Sequence, residues 1–186
     1  MAHPAAPGSM LAHPQTPAHG IARIGATARL LRPAVLCCEY ALHADLAQVR
    51  MPAARGQSPA DGLWRHTCFE AFVAAPDAGG YYEFNFSPAG DWAAYRFAAY
   101  RAQMCPAAIA SPPRMQSSRD AGQLTLTATF DIGTLEGIDR APRLRLALAA
   151  VIEDAGGGLS YWALHHPPGK PDFHHPDGFV VELSAP

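Results

Sequence analysis

The sequence predicts an all-β chain, an antiparallel two-sheet β-sandwich, and three observations predict it. Apolar and polar residues alternate with period two in run after run, as expected of half-buried strands. Proline, at 18 of 186 residues, is about twice its usual frequency and combines with 16 glycines to mark many turns between short elements. The segment Leu63 to Arg101 also contains two alternating runs, Trp64 to Ala74 and Tyr81 to Ser87. They flank the turn-rich stretch Ala75-Pro76-Asp77-Ala78-Gly79-Gly80, the pattern of a hairpin with a longer loop.

In chain order, residues 1–19 are rich in Ala, Pro and His without periodicity and are expected to form a disordered tail. Residues 20–186 are expected to form a single domain of about nine strands. The runs are Ile21 to Leu31, Val35 to Leu46, Trp64 to Ala74, Tyr81 to Ser87, Trp92 to Arg101, Leu124 to Ile132, Leu144 to Glu153, Leu159 to Leu164 and Phe179 to Leu183. Leu124, Leu126, Ala128 and Phe130 alternate with Thr125, Thr127, Thr129 and Asp131, which places one face inward and one outward. Leu144 to Ile152 is more uniformly apolar, which suits a central strand or a buried helix; its length and context favour the strand. At most a short helix is expected, near Ile132 to Ile138.

Pairing Ala74 with Tyr81 fixes the hairpin register. Phe69 then faces Phe86, Ala71 faces Phe84 and Val73 faces Tyr82, an apolar ladder suited to a core. On the opposite face, Glu70 meets Asn85, Phe72 meets Glu83 and Cys68 meets Ser87. A two-residue slip would oppose Glu70 to Glu83, and like charges directly across a ladder repel. Glu70, Glu83 and Asn85 beside Trp64, Phe72 and Tyr81 make a face that is neither plain surface nor core, and it is a candidate ligand platform. Trp64, Trp92 and Trp162, with Tyr81, Tyr95 and Tyr100, could provide flat apolar walls for a sugar ring while fixed polar groups meet its hydroxyls. The candidate ligand-binding residues are Trp64, His66, Glu70, Tyr81, Glu83, Asn85, Trp92, Arg96 and Trp162.

Charge and cysteine usage narrow the function classes. Charged residues make up 16%, and 14 basic against 16 acidic residues leave a net charge of −2. With no basic stripe, nucleic acid is not an expected partner. Cys37, Cys38, Cys68 and Cys105 lack CxxC spacing and read as reduced, mostly structural thiols. No apolar run suits a signal peptide or a membrane span, so the expectation is a cytoplasmic protein without membrane contact.

The stretch Leu159 to Phe179 gathers four histidines, two aspartates and four prolines around Trp162. Proline restricts this long loop, and His165, His166, Asp172, His174, His175 and Asp177 are alternative ligands for a divalent metal. Their spacing matches no established metal motif, and adjacent histidines on an extended chain diverge, so loop capping and backbone hydrogen bonding is the favoured reading. Glu70 and Glu83 resemble the carboxylate pairs of glycosidases, but no proton-relay partner is evident in the sequence. Ser87 lacks the G-x-S-x-G elbow, and Cys68 near His66 has no orienting third group. The expectation leans away from an enzyme.

Leu63-Trp64-Arg65-His66-Thr67-Cys68-Phe69-Glu70-Ala71-Phe72 and Tyr81-Tyr82-Glu83-Phe84-Asn85-Phe86-Ser87-Pro88-Ala89-Gly90-Asp91-Trp92 resemble the bacterial DOMON-like proteins, which are related to family-nine carbohydrate-binding modules. Tyr161-Trp162-Ala163-Leu164 and Lys170 to Phe179 carry the resemblance to the end of the chain, so that it spans about Ile21 to Leu183. It implies a β-sandwich with a sugar-binding or haem-binding role and no established reaction. Haem-binding relatives use a Met and a His as axial ligands, and no Met lies inside the two long motifs. The reading is therefore a non-catalytic module for a small sugar-like ligand. Its rivals are a haem- or metal-binding protein, or a metal-dependent enzyme using the histidine-rich loop.

Overall fold

The computed structural model describes residues 8–16, 18–53, 56–76, 79–139 and 141–184. Among these, twelve strands form: β1 (Gly8–Ala12), β2 (Ile21–Arg32), β3 (Val35–Ala44), β4 (Cys68–Ala74), β5 (Tyr81–Phe86), β6 (Trp92–Phe97), β7 (Cys105–Pro106), β8 (Arg114–Arg119), β9 (Gln123–Asp131), β10 (Arg143–Glu153), β11 (Leu159–Ala163) and β12 (Val181–Ser184). Every ladder between them is antiparallel. The order is β7-β6-β5-β4-β10-β11-β1-β2-β3-β9-β8, with β12 on β10.

All nine expected runs contain a strand, and β1, β7 and β8 are additional. Where two separate sheets are expected, β1 instead joins the halves, pairing with β11 on one side and with β2 on the other. This strand lies within the stretch expected to be a disordered tail; residues 1–7 fall outside the described residues. The expectation fails for Gly8–Ala12 because Met10 finds a place in the core and its neighbours find two strand edges, neither of which a proline-rich composition reveals. Ile132 to Ile138 forms successive turns rather than a short helix, and its Leu135 and Ile138 plug the core.

The two halves face each other across one apolar core. Phe84 of β5 packs at 4.3 Å from Phe130 of β9, centroid to centroid, and Tyr40 of β3 packs at 5.0 Å from Phe69 of β4. The Tyr40 hydroxyl crosses the core to donate to the Glu70 carbonyl at 2.9 Å, satisfying a polar group that burial would otherwise penalise.

The hairpin register is as derived, from Phe69↔Phe86 to Ala74↔Tyr81. β10 is central. β4 lines one edge, while the other is divided between β12, at Arg143 to Leu146, and β11, from Ala149 to Glu153. The β11–β12 connection therefore leaves and returns at the middle of this edge and crosses the outer face there. It fastens itself by Phe179, which packs on Phe72 and Tyr81, and by Arg145, whose guanidinium donates to the Phe179 carbonyl at 3.0 Å.

Candidate functional site

Registers on the outer face of the β4 half bring three alanines into one row with Asn85 and Glu70: Ala93, Asn85, Glu70, Ala149 and Ala163 lie side by side across β6, β5, β4, β10 and β11. The flanking rows carry Tyr95, Glu83 and Phe72 on one side and Cys68, Val151 and Tyr161 on the other. A trough with bulkier walls results. The β11–β12 loop closes one side of it with Pro171, Phe173 and His174, and the β6–β7 turn adds Arg101 and Met104. Gly62 adopts the left-handed conformation, starting a short 3₁₀ helix, Leu63–Arg65, that carries Trp64 to the rim. The cleft so formed measures about 370 Å³.

Glu70 and Glu83 are its polar floor, 3% and 5% exposed. Asn85 lies beneath and donates from Nδ2 to Glu83 Oε1 at 2.7 Å. Glu70 Oε1 is buried and has no partner among the described residues. Burial, reinforced by the nearby Glu83 charge and opposed by Arg101, raises Glu70 well above the usual carboxylate range. Burial also raises Glu83, against the opposing Asn85 hydrogen bond and the Arg101 charge.

A second layer holds the wall in place. The Tyr81 hydroxyl accepts from the Arg101 amide at 3.1 Å and lies 2.8 Å from His174 Nδ1. The other ring nitrogen of His174, Nε2, lies 3.8 Å from Glu83 Oε2. Burial, with the Arg101 charge assisting and Asp172 opposing, depresses His174 to about 4, so this ring is neutral near neutral pH. Arg101 sits at φ 51°, a left-handed conformation uncommon outside glycine. Asp172 holds it there, accepting from Arg101 Nε at 3.2 Å and Nη2 at 2.8 Å, and from the Tyr100 hydroxyl. Burial opposes the charge of Asp172, but those bonds outweigh it and keep the carboxyl below its ordinary range.

The structure gathers some of the expected site residues and scatters others. Trp64, Glu70 and Glu83 line the cleft, while Asn85 and Tyr81 stand behind it and orient Glu83 and His174. Trp92 and Trp162 point inward to the core between the halves, on the other side of the sheet from the cleft. Trp162 donates its indole N–H to Ser160 Oγ at 3.0 Å. Arg96 shares the inward parity of Trp92 and Ala94, and its guanidinium swings out to Glu136 at 3.1 Å. His66 lies in a separate cavity of about 460 Å³, 2.8 Å from Glu153. Arg101, Phe97, Met104, Val151, Tyr161, Pro171 and Phe173 are cleft residues absent from the expected set. Period-two counting on from Ala93 and Tyr95 would have reached Phe97, whereas Tyr161 comes beside Cys68 only through the β4–β10 and β10–β11 registers. The left-handed turn at Arg101 has no such signal.

The six alternative metal ligands do not converge. Asp172 is taken by Arg101 and Tyr100, His174 by Tyr81, and His166 Nε2 lies 2.9 Å from the Leu11 carbonyl. His175 Nδ1 accepts from the Asp177 amide, and His165 is exposed. Among the described residues no three His, Cys, Asp or Glu side chains form a metal-holding group. Haem also fits poorly: Met104 and His174 share the cleft, but both His174 nitrogens face protein groups, and two buried carboxyls underlie the space a porphyrin would occupy.

No protein-family model matches the sequence, and no curated protein matches it. Solved structures do resemble it. One is a protein from Bacteroides uniformis provisionally described as carbohydrate-binding, with TM-score 0.70 at 15% identity, covering 98% of this chain and 86% of that one. A family 9 carbohydrate-binding module from Caldicellulosiruptor kristjanssonii in complex with glucose gives a TM-score of 0.55 at 8% identity, covering 95% and 80%. The same kind of module from that organism with cellotriose gives 0.53 at 9%, covering 95% and 78%. At these identities the likeness is one of fold: an all-β chain whose curled antiparallel sheet follows that of the carbohydrate-binding modules.

Proposed function

We propose that this chain is a non-catalytic saccharide-binding module of the DOMON-like kind, a sandwich of two curled sheet halves whose ligand lies in the Glu70–Glu83 cleft. The observation that carries the reading is the floor itself, two buried carboxyls with an unused acceptor, set under the aromatic side chains of Trp64, Tyr161 and Phe173. A sugar ring offers what such a cleft lacks, hydroxyl donors for the floor and C–H faces for the walls. The fold likeness to modules solved with glucose and cellotriose supports the same class of ligand.

Binding without turnover suits the electrostatics. The buried Cys68 thiol is pushed up by burial and by Glu70, which removes it as a nucleophile.

Titration calorimetry with a panel of mono- and oligosaccharides tests the proposal. Trp64→Ala and Glu70→Gln should each weaken the best ligand at least about tenfold while far-UV circular dichroism stays native. Unchanged affinity in both variants, or no saccharide binding by the parent protein, overturns it.

A further inference from the structure

We infer that the cleft is specific for a ring bearing an ammonium group, an amino sugar held by its positive charge over Glu70 and Glu83; this rests on the saccharide reading and narrows it. The floor has acceptors without donors. Glu70 Oε1 is buried and has no hydrogen-bond partner among the described residues, and His174 Nε2, at 3.8 Å from Glu83 Oε2, is beyond hydrogen-bond range.

The site also has negative charge without matching positive charge. Glu70 and Glu83 contribute two carboxyls to the lining, against which it sets the guanidinium of Arg101, already engaged from behind by Asp172 through two nitrogens. His174 is no second cation, because its burial beside Arg101 keeps it neutral. Burial sets up a conflict there: charge on either floor carboxyl is costly in the ligand-free protein, and the more so at Glu70 beside the Glu83 charge, in keeping with the raised values of both.

A neutral hydroxyl can fill one acceptor but leaves that conflict unchanged. An ammonium brings three donors on one atom and compensates the charge of the floor. Trp64 and Phe173 line the same cleft, and an aromatic lining favours a cation over a carboxylate. The cleft thus offers an ammonium both parts of its usual protein environment, carboxylate and aromatic side chain. An N-acetyl group would forfeit the charge and two of the three donors.

The test is calorimetric titration of the full chain near neutral pH with matched sets: glucosamine, glucose and N-acetylglucosamine, and the corresponding galactose and mannose sets. The expected result is that one amine binds at least about tenfold tighter than its neutral parent and its N-acetyl derivative, as a hydrogen bond to a charged group would give. Glu70→Gln should shrink that preference to less than about threefold, with a cooperative melt confirming that the variant is folded. A neutral parent that binds as tightly as its amine overturns the inference and leaves the saccharide reading standing. Cyclohexylamine binding as tightly as glucosamine keeps the ammonium site and overturns the saccharide reading. Absence of binding by every sugar and amine overturns both.

Discussion

The inner and outer faces of β4 and β5 are drawn from the same thirteen residues and do opposite work. Inward, Phe69, Ala71, Val73, Tyr82, Phe84 and Phe86 form part of the core between the halves. Outward, Glu70, Glu83 and Asn85 are buried nearly as fully, yet each carries a polar group that costs free energy to desolvate. Burial alone therefore does not separate core from site. The difference lies in what the buried atoms meet: the inner side chains find one another, whereas Glu70 Oε1 finds no partner among the described residues. A sheet can thus keep its stability on one parity and its recognition on the other, provided the register never slips.

The largest expected effect separates these roles directly. Phe84→Ala should destabilise the protein by about 3–5 kcal/mol, since the ring is fully buried against Phe130, while folded molecules keep saccharide affinity. Urea denaturation of parent and variant measures it, and a loss under about 1.5 kcal/mol would mean that the inner face is not the main stabilising one.

Acid should next act through the outer face. His174 has its folded value below its unfolded one, about 4 against 6.5, so its contribution is complete above pH 6.5 and is lost as pH falls toward 4. That displacement corresponds to about 3 kcal/mol. Asp172 changes in the same direction at lower pH. Urea midpoints at about pH 7 and about pH 4.5 should differ less in His174→Gln than in the parent; an equal difference would place the acid sensitivity elsewhere.

Glu70 has the opposite sign. Its folded value is raised, so the stability linked to its proton is complete below the ordinary carboxylate range and is lost as pH rises through the folded value. Glu70→Gln should therefore be more stable than the parent in mildly alkaline buffer, with the advantage fading toward about pH 4.5. An advantage that does not vary with pH would show that ionisation of Glu70 is not its source.

The smallest effects concern residues that the structure removes from the cleft. Trp92→Phe keeps most of the buried volume and discards an indole N–H without a hydrogen-bond partner among the described residues, so a stability change under about 1.5 kcal/mol and unchanged ligand affinity are expected. Arg96→Ala breaks an exposed pair with Glu136 and should cost about 0–1 kcal/mol, again without effect on binding. A drop in affinity from either variant would break the division between the faces.

Much of the fold and part of the site were legible in the sequence, for different reasons. The β4–β5 register could be read because period two, a hairpin loop and the exclusion of Glu70 opposite Glu83 all select one alignment. The same counting placed Glu70, Glu83 and Asn85 on one face. It could not sort the tryptophans, because Trp64 leaves the strand in a 3₁₀ turn at Gly62, whereas Trp92 and Trp162 stay in register and point inward. β1 was illegible for a related reason, as one of its partners, β11, lies far along the chain and its own composition reads as a tail.

The sequence by itself determined the all-β class, nine of the twelve strands and the carboxylate-bearing face, since alternation, turn chemistry and cross-strand charge are local and survive without knowledge of distant contacts. Only the tertiary structure decided that β1 joins the two halves, that Arg101 and Asp172 close one wall of the cleft, and that His174 shields Glu83. Arg101 meets Asp172, Glu83 meets His174 and β1 meets β11 across intervals of about 70 residues or more, and the first two contacts depend on how β10 divides its edge between β11 and β12 and so throws the connecting loop across the face.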